Sequence, residues 1–403
     1  MSTNEAEQHE SSPTQPQADQ TAAVDAPPAA RVTIKTLTFS GGDKFDMAEN
    51  GVLVIVGPNN AGKSAALLNI LHSLTLAATT PDICRPEFEM VGSWDDLEAQ
   101  LRPHLKPDRG VDPHYAGPQF DFHGPSARNW WTKKKGLNVL GGYFALLLDT
   151  ASRLSACNAV PCHAVGRVNA ANAFQVLYED PELQQRVSDV FKVVFDTGLA
   201  FNPLPGSEIS LHVGEQPTPA KGEAVNSKPY LRKVLGLPRL DQQGDGMKSF
   251  AAMLLAVKVF PRQIMLIDEP EAFLHPPQER RIGKVLAEER PKTSQVVVAT
   301  HSEDVIQGLL ASAPKRVSIV RLTREGSVNH AKLLPNEKVV NLWKSPILRY
   351  SNILSGLFHE GVVITESDGD CRFFDAVQEV LPTSARKPDL FYTHGGGKDR
   401  MPR

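Results

Sequence analysis

The feature that most limits how this chain can fold is an eight-residue turn between an apolar run and a helical pattern. Residues 57–64 read GPNNAGKS and match the pattern G-x-x-x-x-G-K-[ST]. Residues 51–56 form an apolar run typical of a buried parallel strand, and a helix is predicted from Gly62 to about Leu76. Glycines let the backbone wrap closely, so its N–H groups and the helix end can meet one group of phosphates. The sequence therefore predicts a phosphate-binding loop within an α/β fold.

Every residue of this loop is a predicted nucleotide-binding residue. Lys63 would place its ammonium between the β- and γ-phosphates, and Ser64 would offer its hydroxyl to Mg²⁺. The remaining members are expected to contribute mainly backbone contacts: Gly57, Pro58, Asn59, Asn60, Ala61 and Gly62. We therefore expect ATP and Mg²⁺ as cofactors. The alternative is a glycine-rich strand-to-helix turn with an exposed lysine.

Two later apolar runs end in polar residues that suit the same chemistry. Residues 263–267 are followed by Asp268 and Glu269, and residues 296–299 lead to His301. At the carboxyl end of a neighbouring buried strand, Asp268 can reach the Mg²⁺ of a nucleotide. Glu269 can orient or deprotonate the attacking water, and His301 can contact the γ-phosphate. The alternatives are a solvated acidic turn and a structural histidine.

The composition indicates the class of protein but does not identify a binding partner. The chain has 403 residues, of which 41% are hydrophobic and 22% are charged, as in a soluble globular protein. Its four cysteines are scattered, so a cytoplasmic, reduced protein is expected, and no apolar run suggests a signal peptide or a membrane partner. The net charge of −3 arises from an acidic first segment, and the body neither demands nor excludes nucleic acid.

Pattern changes along the chain predict its organisation. Residues 1–30 lack hydrophobic periodicity and are predicted to be a disordered tail. Residues 31–335 alternate strand and helix patterns, which predicts an α/β domain with a parallel sheet, and about 79–241 is predicted to be an inserted lobe. Helical periodicity is predicted around 143–154 and 181–197.

Four motifs together resemble the ATP-binding-cassette (ABC) type of ATPase. In chain order they read GPNNAGKS, QQGDGMKSF, LIDEPEAFLHP and VVVATHS. The DEPEAFLHP form is similar to the soluble branch that includes the OLD-family (overcoming lysogenization defect) ATPases and their AAA-type relatives. The resemblance covers roughly residues 31–325. It implies a P-loop NTPase of the ABC-ATPase head type with an inserted helical and loop lobe.

The resemblance also implies a homodimer that sandwiches ATP between the phosphate loop of one subunit and a signature motif of the other. That motif would be residues 244–249, with Gly244, Gly246 and Ser249 as contacts to the partner's nucleotide. Gly244 stands where this type of ATPase usually has a serine. A glutamine that couples the γ-phosphate to the lobe is also implied, and Gln119 is the nearest candidate.

The last part of the chain, residues 336–403, is predicted to be a linker and an incomplete domain. Its strand pattern at 361–366 resembles the start of a TOPRIM-like α/β domain, with Glu366 and Asp370 on the acidic positions that hold Mg²⁺ in nuclease members. The second acidic cluster of that domain is not reached before Arg403. The alternative is an ordinary acidic strand-to-helix turn.

Residues 130–135 read WWTKKK and leave two interpretations open. Aromatic rings interleaved with cations are typical of single-strand nucleic-acid binders. A hairpin tip with a solvated charge run fits the same residues.

The main functional hypothesis is an ATPase of the OLD-like type that couples dimer closure to DNA processing or antiviral defence through a TOPRIM nuclease module. Nuclease activity of this chain by itself is not expected. The alternative is a nucleotide-gated switch that binds or releases a separate effector protein. A soluble subunit of a membrane transporter is disfavoured by the DEPEAFLHP form.

Overall fold

The computed structural model describes residues 29–75, 83–106, 112–134, 136–163, 169–344, 352–380 and 387–394. The predicted tail therefore lies almost wholly outside the described residues. The strands are β1 (Arg31–Phe39), β2 (Lys44–Asp46), β3 (Val52–Val56), β4 (Cys84–Val91), β5 (His114–Gly117), β6 (Phe120–His123), β7 (Ala145–Leu148), β8 (Val160–Pro161), β9 (Leu199–Phe201), β10 (Glu208–Ile209), β11 (Leu211–Val213), β12 (Ile264–Asp268), β13 (Gln295–Ala299), β14 (Val317–Glu325), β15 (Val328–Leu334), β16 (Gly361–Thr365) and β17 (Leu390–His394).

The helices surround these strands. They are α1 (Lys63–Thr75), α2 (Trp94–Leu101), α3 (Gly124–Lys133), α4 (Gly141–Phe144), α5 (Thr150–Ser155), α6 (Ala173–Glu179), α7 (Pro181–Phe195), α8 (Lys228–Leu235), α9 (Asp245–Lys258), α10 (Pro276–Glu288), α11 (Glu303–Ser312), α12 (Asn336–Lys344) and α13 (Asp368–Val380). A 3₁₀ segment covers Asn352–Leu357. Among the described residues, no helix is both long and apolar enough to cross a membrane.

A central six-stranded sheet carries the fold, with strand order β15-β14-β3-β13-β12-β7. All of its pairs are parallel except β14–β15, which is an antiparallel hairpin. Successive residues of β3 belong to two different buried clusters: Val52 and Val54 pack with α9, α10 and α11, whereas Leu53 and Ile55 pack with α1 and β1. Burial on both faces explains why β3, β12 and β13 are continuous apolar runs.

A smaller antiparallel sheet, with strand order β2-β1-β4, lies against the central one. Two glutamine side chains join the sheets. Gln263 accepts a hydrogen bond from Val32 N–H and Gln295 accepts one from Ile34 N–H, each at 2.6 Å. Gln295 is completely buried and donates back to the Ile34 carbonyl at 2.9 Å. Because buried amides must be satisfied, these contacts set the position of β1 above the central sheet.

The structure corrects the helix predicted at 143–154. Residues Ala145–Leu148 form β7, which pairs in parallel with β12, between the short helices α4 and α5. Four consecutive apolar residues do not distinguish a buried strand from a buried helix, and here the edge of the sheet takes them. β7 also lies within residues 79–241, the stretch predicted to be an inserted lobe, so this part of the stretch belongs to the central sheet.

Trp131 is also a core residue rather than a stacking surface. It lies on α3, is 1% exposed, donates its indole N–H to the Ser93 carbonyl at 3.1 Å, and stacks on Phe144. The hairpin tip predicted for this segment is a helix instead. Trp130 remains half-buried with the Lys133 ammonium 5.9 Å from its ring centre, and Lys135 lies outside the described residues.

Helices α10 and α11 cross at two glycines, which gives a stability prediction. A Cβ on Gly308 would lie 2.1 Å from the Arg280 carbonyl oxygen and 3.0 Å from Gly283 Cα. Gly308→Ala should therefore destabilise the protein by about 2 kcal/mol through overpacking, although alanine is the better helix former. Thermal unfolding measures this. Gly206→Ala, whose Cβ would meet nothing within 4 Å, is the control and should be near neutral. A Gly308→Ala protein as stable as the control would contradict this packing.

Candidate nucleotide-binding and hydrolysis site

Parallel pairing brings the predicted motifs to one edge of the central sheet. In register, Asp268 lies opposite Ala299, which in turn lies opposite Ile55 just before the phosphate loop. The backbone continues this pairing past the strand ends, since Glu269 N–H donates to the Ala299 carbonyl at 2.8 Å and Thr300 N–H donates to the Ile55 carbonyl at 3.1 Å. The carboxyl ends of β3, β13 and β12 therefore meet.

Lys63 closes the phosphate loop on itself. It is 6% exposed, and its ammonium donates to the carbonyls of Gly57 and Pro58, each at 3.0 Å. Burial lowers the pKa of Lys63 to about 8, and the nearby Glu269, Glu271 and Asp268 oppose that shift. The ammonium is thus held inside the loop, where a phosphate could replace the carbonyls as its partner.

Only glycine fits at the two glycine positions of the loop pattern. Gly57 has a φ of 143°, and a Cβ there would lie 2.2 Å from the Leu322 carbonyl oxygen. Gly62 has a φ of 92°, and its Cβ would lie 2.8 Å from the Ile83 side chain. The motif glycines are therefore required by local geometry as well as by access to phosphate.

Asn329, for which the sequence predicted no role, supports the loop from the β14–β15 hairpin. Its side-chain amide donates to the Ala61 carbonyl at 2.6 Å, and its backbone N–H donates to Ser40 Oγ at 2.8 Å. The residue is 2% exposed. A single asparagine in a strand pattern carries no signal of such a contact, because its partner lies far away in the chain.

Ser64 and Asp268 form the candidate metal site. Ser64 Oγ donates to Asp268 Oδ1 at 2.9 Å. Burial raises the pKa of Asp268, while the hydrogen bond from Ser64 and the charge of Arg153 counteract that rise. A hydroxyl and a carboxylate in contact are hard oxygen donors of the type that Mg²⁺ takes beside nucleotide phosphates, so these residues fit that ion.

The neighbouring acids have different roles. Glu271 accepts hydrogen bonds from Thr300 Oγ1 at 2.7 Å and from His301 N–H at 2.6 Å, and burial raises the pKa of Glu271. It therefore holds the segment that presents His301. The Glu269 side chain is exposed, and its backbone lies in the left-handed region with a φ of 46°. The turn thus directs one carboxylate inward and leaves the other at the open edge.

His301 lies half-buried at this edge. Burial lowers the pKa of His301, and the positive charge of Lys63 lowers it further. Both effects favour the neutral imidazole, in which one ring nitrogen donates a hydrogen bond and the other accepts one. These properties suit contact with a phosphate oxygen or a water molecule.

The predicted signature residues do not share one environment. Gly244 caps the start of α9 and is exposed, and a Cβ on Gly246 would lie 2.6 Å from the Phe273 carbonyl oxygen. Ser249, however, is 1% exposed, and its hydroxyl accepts a hydrogen bond from Arg153 at 3.0 Å. This corrects the expectation that Ser249 serves a partner's nucleotide, because its hydroxyl faces inward. The exposed start of α9 offers backbone N–H groups instead.

Gln119 lies at the wrong end of the sheet to sense a γ-phosphate. It occupies the turn between β5 and β6, where Arg262 donates to the neighbouring Pro118 carbonyl. Arg262 precedes β12, so this turn is near the amino end of that strand, whereas Asp268 is at its carboxyl end. The structure therefore contradicts the prediction that Gln119 couples the γ-phosphate to the lobe.

Arg153, like Asn329, is a site residue for which the sequence predicted no role. Its guanidinium donates to the Asp268 carbonyl at 2.6 Å and to the Glu269 carbonyl at 2.9 Å. The apolar run of β7, which ends at Leu148, five residues before Arg153, could have indicated a further strand end at this edge. An arginine on a helix pattern gives no such indication by itself.

The C-terminal acids lie on a separate strand–helix–strand unit. Strands β16 and β17 pair in parallel, and α13 follows Glu366. Glu366 is exposed, and the Asp370 carboxylate accepts hydrogen bonds from Ser367 N–H at 3.0 Å and Ser367 Oγ at 2.9 Å. Within the described part of the chain, no group of three or more His, Cys, Asp and Glu side chains could hold a metal. Residues 395–398, which read GGGK, lie outside the described residues.

Comparison with known proteins gives one family match. Residues 200–306 match the model of a family described as "AAA domain, putative AbiEii toxin, Type IV TA system". A sequence search of curated proteins gave no match. The fold, the phosphate loop and this family match define a P-loop ATPase domain.

Several solved structures are similar to this chain. One is the SmcHead bound to the C-winged helix domain of ScpA, with 14% identity, a TM-score of 0.46, and coverage of 76% of this chain and 99% of that one. Another is the SMC head domain from Thermotoga maritima, with 12% identity, a TM-score of 0.36, and coverage of 76% and 99%. A third, RNase-L Inhibitor, has 13% identity, a TM-score of 0.36, and coverage of 88% and 59%.

The contact made by Asn329 generates a prediction about the loop. Asn329→Ala should weaken ATP binding about tenfold, since the Ala61 carbonyl loses a buried donor and the loop loosens. Titration with a fluorescent ATP analogue measures this affinity. Asn158→Ala, at an exposed position, should bind as the wild type does. If Asn329→Ala binds ATP with unchanged affinity, the hairpin does not support the loop.

Proposed function

We propose that this chain hydrolyses ATP with Mg²⁺ as a homodimer of ABC-type heads. The observation that carries the proposal is the contact between Ser64 and Asp268, with Glu269 and His301 presented at the same sheet edge. A metal-binding pair, a carboxylate for water and a neutral imidazole are the groups that phosphoryl transfer to water needs.

Each residue has a defined role in the proposed reaction. The loop backbone and the Lys63 ammonium bind the phosphates and stabilise their charge. Ser64 and Asp268 would hold Mg²⁺, which would supply positive charge to neutralise the phosphate oxygens. Glu269 orients the attacking water and accepts its proton, and His301 donates a hydrogen bond to the γ-phosphate.

The dimer is inferred from the exposed start of α9. Gly244 is exposed and Gly246 is partly exposed, so neither position places a side chain over the first helical turn, and such a helix end attracts anions. In a closed dimer, this end would face the γ-phosphate bound by the other subunit. The missing serine at Gly244 means that backbone groups, rather than a hydroxyl, would make that contact.

The segment that precedes the C-terminal unit contacts the sheet edge that carries the proposed catalytic residues. Phe358 packs against the His301 ring, with 6.3 Å between ring centres, and Ser355 Oγ donates to Glu303 at 2.5 Å. Arg321, next to the phosphate loop, donates to the carbonyls of Leu357 and Glu360 at 3.3 and 3.2 Å. These contacts connect the edge of the sheet that carries His301 to the strand that begins at Gly361.

We extend the proposal through this connection to DNA processing or antiviral defence by a TOPRIM-like module containing Glu366 and Asp370. Its support is the strand–helix–strand order of β16, α13 and β17, with the acids after the first strand. Because the Asp370 carboxylate caps the start of α13, its use in metal binding would require it to leave Ser367. A switch that only holds an effector uses the same nucleotide site, and no contact among the described residues favours it.

Glu269→Gln tests the hydrolytic step and the dimer together. The amide keeps the side-chain size but cannot accept the proton, so turnover should fall at least about a hundredfold while ATP binding persists. Light scattering should then show association of this variant in ATP and Mg²⁺. Lys63→Ala should neither bind ATP nor associate, and Glu182→Gln, which is 89% exposed in its side chain, should behave as the wild type.

Two results would contradict the proposal. Wild-type turnover in Glu269→Gln would remove that carboxylate from the reaction. Tight ATP binding without any association would leave the hydrolytic site in place but contradict the dimer.

A further inference from the structure

Arg153 is a buried cation whose hydrogen-bonding partners are all neutral groups. Its side chain is 0% exposed. Besides the Asp268 and Glu269 carbonyls, it donates to the Leu148 carbonyl at 3.2 Å, Thr150 Oγ1 at 3.3 Å and Ser249 Oγ at 3.0 Å. Burial lowers the pKa of Arg153, and the surrounding carboxylates oppose this. Burying a charge costs free energy. The buried Arg153 guanidinium is therefore better explained by a role in positioning its hydrogen-bond partners than by a contribution to stability alone.

One of these contacts holds a strained residue. Glu269 has a φ of 46°, which non-glycine residues rarely adopt and which the surrounding structure must enforce. Its N–H is bound to the Ala299 carbonyl, and its own carbonyl is bound by Arg153. The two contacts fix both sides of the residue that presents the proposed catalytic carboxylate. Ala272 N–H also donates to the Glu269 carbonyl at 2.9 Å, so loss of the Arg153 contact would leave this turn hydrogen bond and the contact with Ala299.

A second contact reaches the start of α9. Ser249 lies about one turn into the helix whose exposed end begins at Gly244. The same helix end packs against the segment after Glu269 through Gly246, and Cys157 Sγ lies 3.2 Å from the Lys248 carbonyl. The amino-terminal turn of α9 is therefore attached to both α5 and the Asp268–Phe273 segment.

We infer that Arg153 is a positioning residue that couples the amino-terminal turn of α9 to the backbone of Asp268 and Glu269. This inference rests on the proposed function, in which Glu269 acts on the nucleotide of its own subunit while the start of α9 faces the nucleotide of the partner. One guanidinium then links the two nucleotide sites of the dimer. Movement of α9 on closure is transmitted to Glu269 through the two hydrogen bonds that Arg153 donates, one to Ser249 Oγ and one to the Glu269 carbonyl.

Ser249→Ala is the main test, because alanine suits a helix and removes only the α9 end of the link. The value of kcat for ATP hydrolysis should fall about tenfold, while the affinity for ATP stays within about twofold of the wild type. Thr150→Val is the matched control: it also removes one hydrogen bond from Arg153, but leaves the contacts with α9 and residues 268–269 in place. Its kcat should be unchanged. Equal losses in both variants would indicate a merely structural arginine and overturn the inference.

Arg153→Lys tests whether the contacts act as one unit. The lysine keeps the charge but cannot reach all the acceptors, so its kcat should fall at least as much as that of Ser249→Ala. Adding Ser249→Ala to Arg153→Lys should cause little further loss, since the link is already broken. Losses that multiply in the double variant would contradict a shared link.

Hydrogen exchange separates this inference from the proposed function. Without nucleotide, amides of residues 268–274 should exchange about tenfold faster in Ser249→Ala than in the wild type, and at the wild-type rate in Thr150→Val. A wild-type protein that hydrolyses no ATP would overturn the proposed function, yet this comparison would still decide whether Arg153 connects α9 to Glu269. Unchanged exchange in Ser249→Ala would overturn the connection.

Discussion

Parallel hydrogen bonding between β3, β13 and β12 is the constraint on which the site depends. It brings the phosphate loop beside residues more than 200 positions away, and it continues past the strand ends through the Thr300 and Glu269 amides. Because these strands are buried on both faces, a shift in register would move apolar side chains out of two cores at once. The distances at the sheet edge are therefore set by the packing of the whole domain.

The three acids at this edge lie in different environments. Three acids lie within four residues, which would raise all their pKa values if they shared one environment. Instead Asp268 meets Ser64, Glu271 holds the backbone before His301, and Glu269 turns outward. The cations are the buried side chains of Lys63 and Arg153. Backbone geometry thus assigns different chemistry to adjacent carboxylates.

The sequence was informative wherever function requires a fixed residue type at a fixed spacing. The loop at 57–64 and the strands ending at Asp268 and Ala299 were predicted because glycine geometry and double-sided burial leave direct patterns. The strand at 145–148 was wrongly predicted as helix, since four apolar residues suit either structure. Gln119 was misplaced because sequence position does not show at which end of a sheet a turn lies.

Arg153 and Asn329 could not be predicted for a different reason. Both act mainly on backbone carbonyls supplied by distant segments, and a carbonyl has no residue type that a sequence pattern can record. Ser249 shows the opposite case, in which a sequence pattern predicted a contact that the side chain does not make. Its type and spacing suited the signature motif, but helix rotation directs its hydroxyl toward Arg153. Such contacts depend on tertiary packing and become visible only in the structure.

The rate of ATP hydrolysis per protein molecule, measured across a range of protein concentrations in Mg²⁺, tests the central claim most directly. If each nucleotide site is completed by the start of α9 from a second copy, the rate per molecule should rise with concentration and level off as dimers saturate. A substantial rate that is independent of concentration down to monomeric conditions would contradict shared sites, and the absence of any turnover would contradict hydrolysis itself.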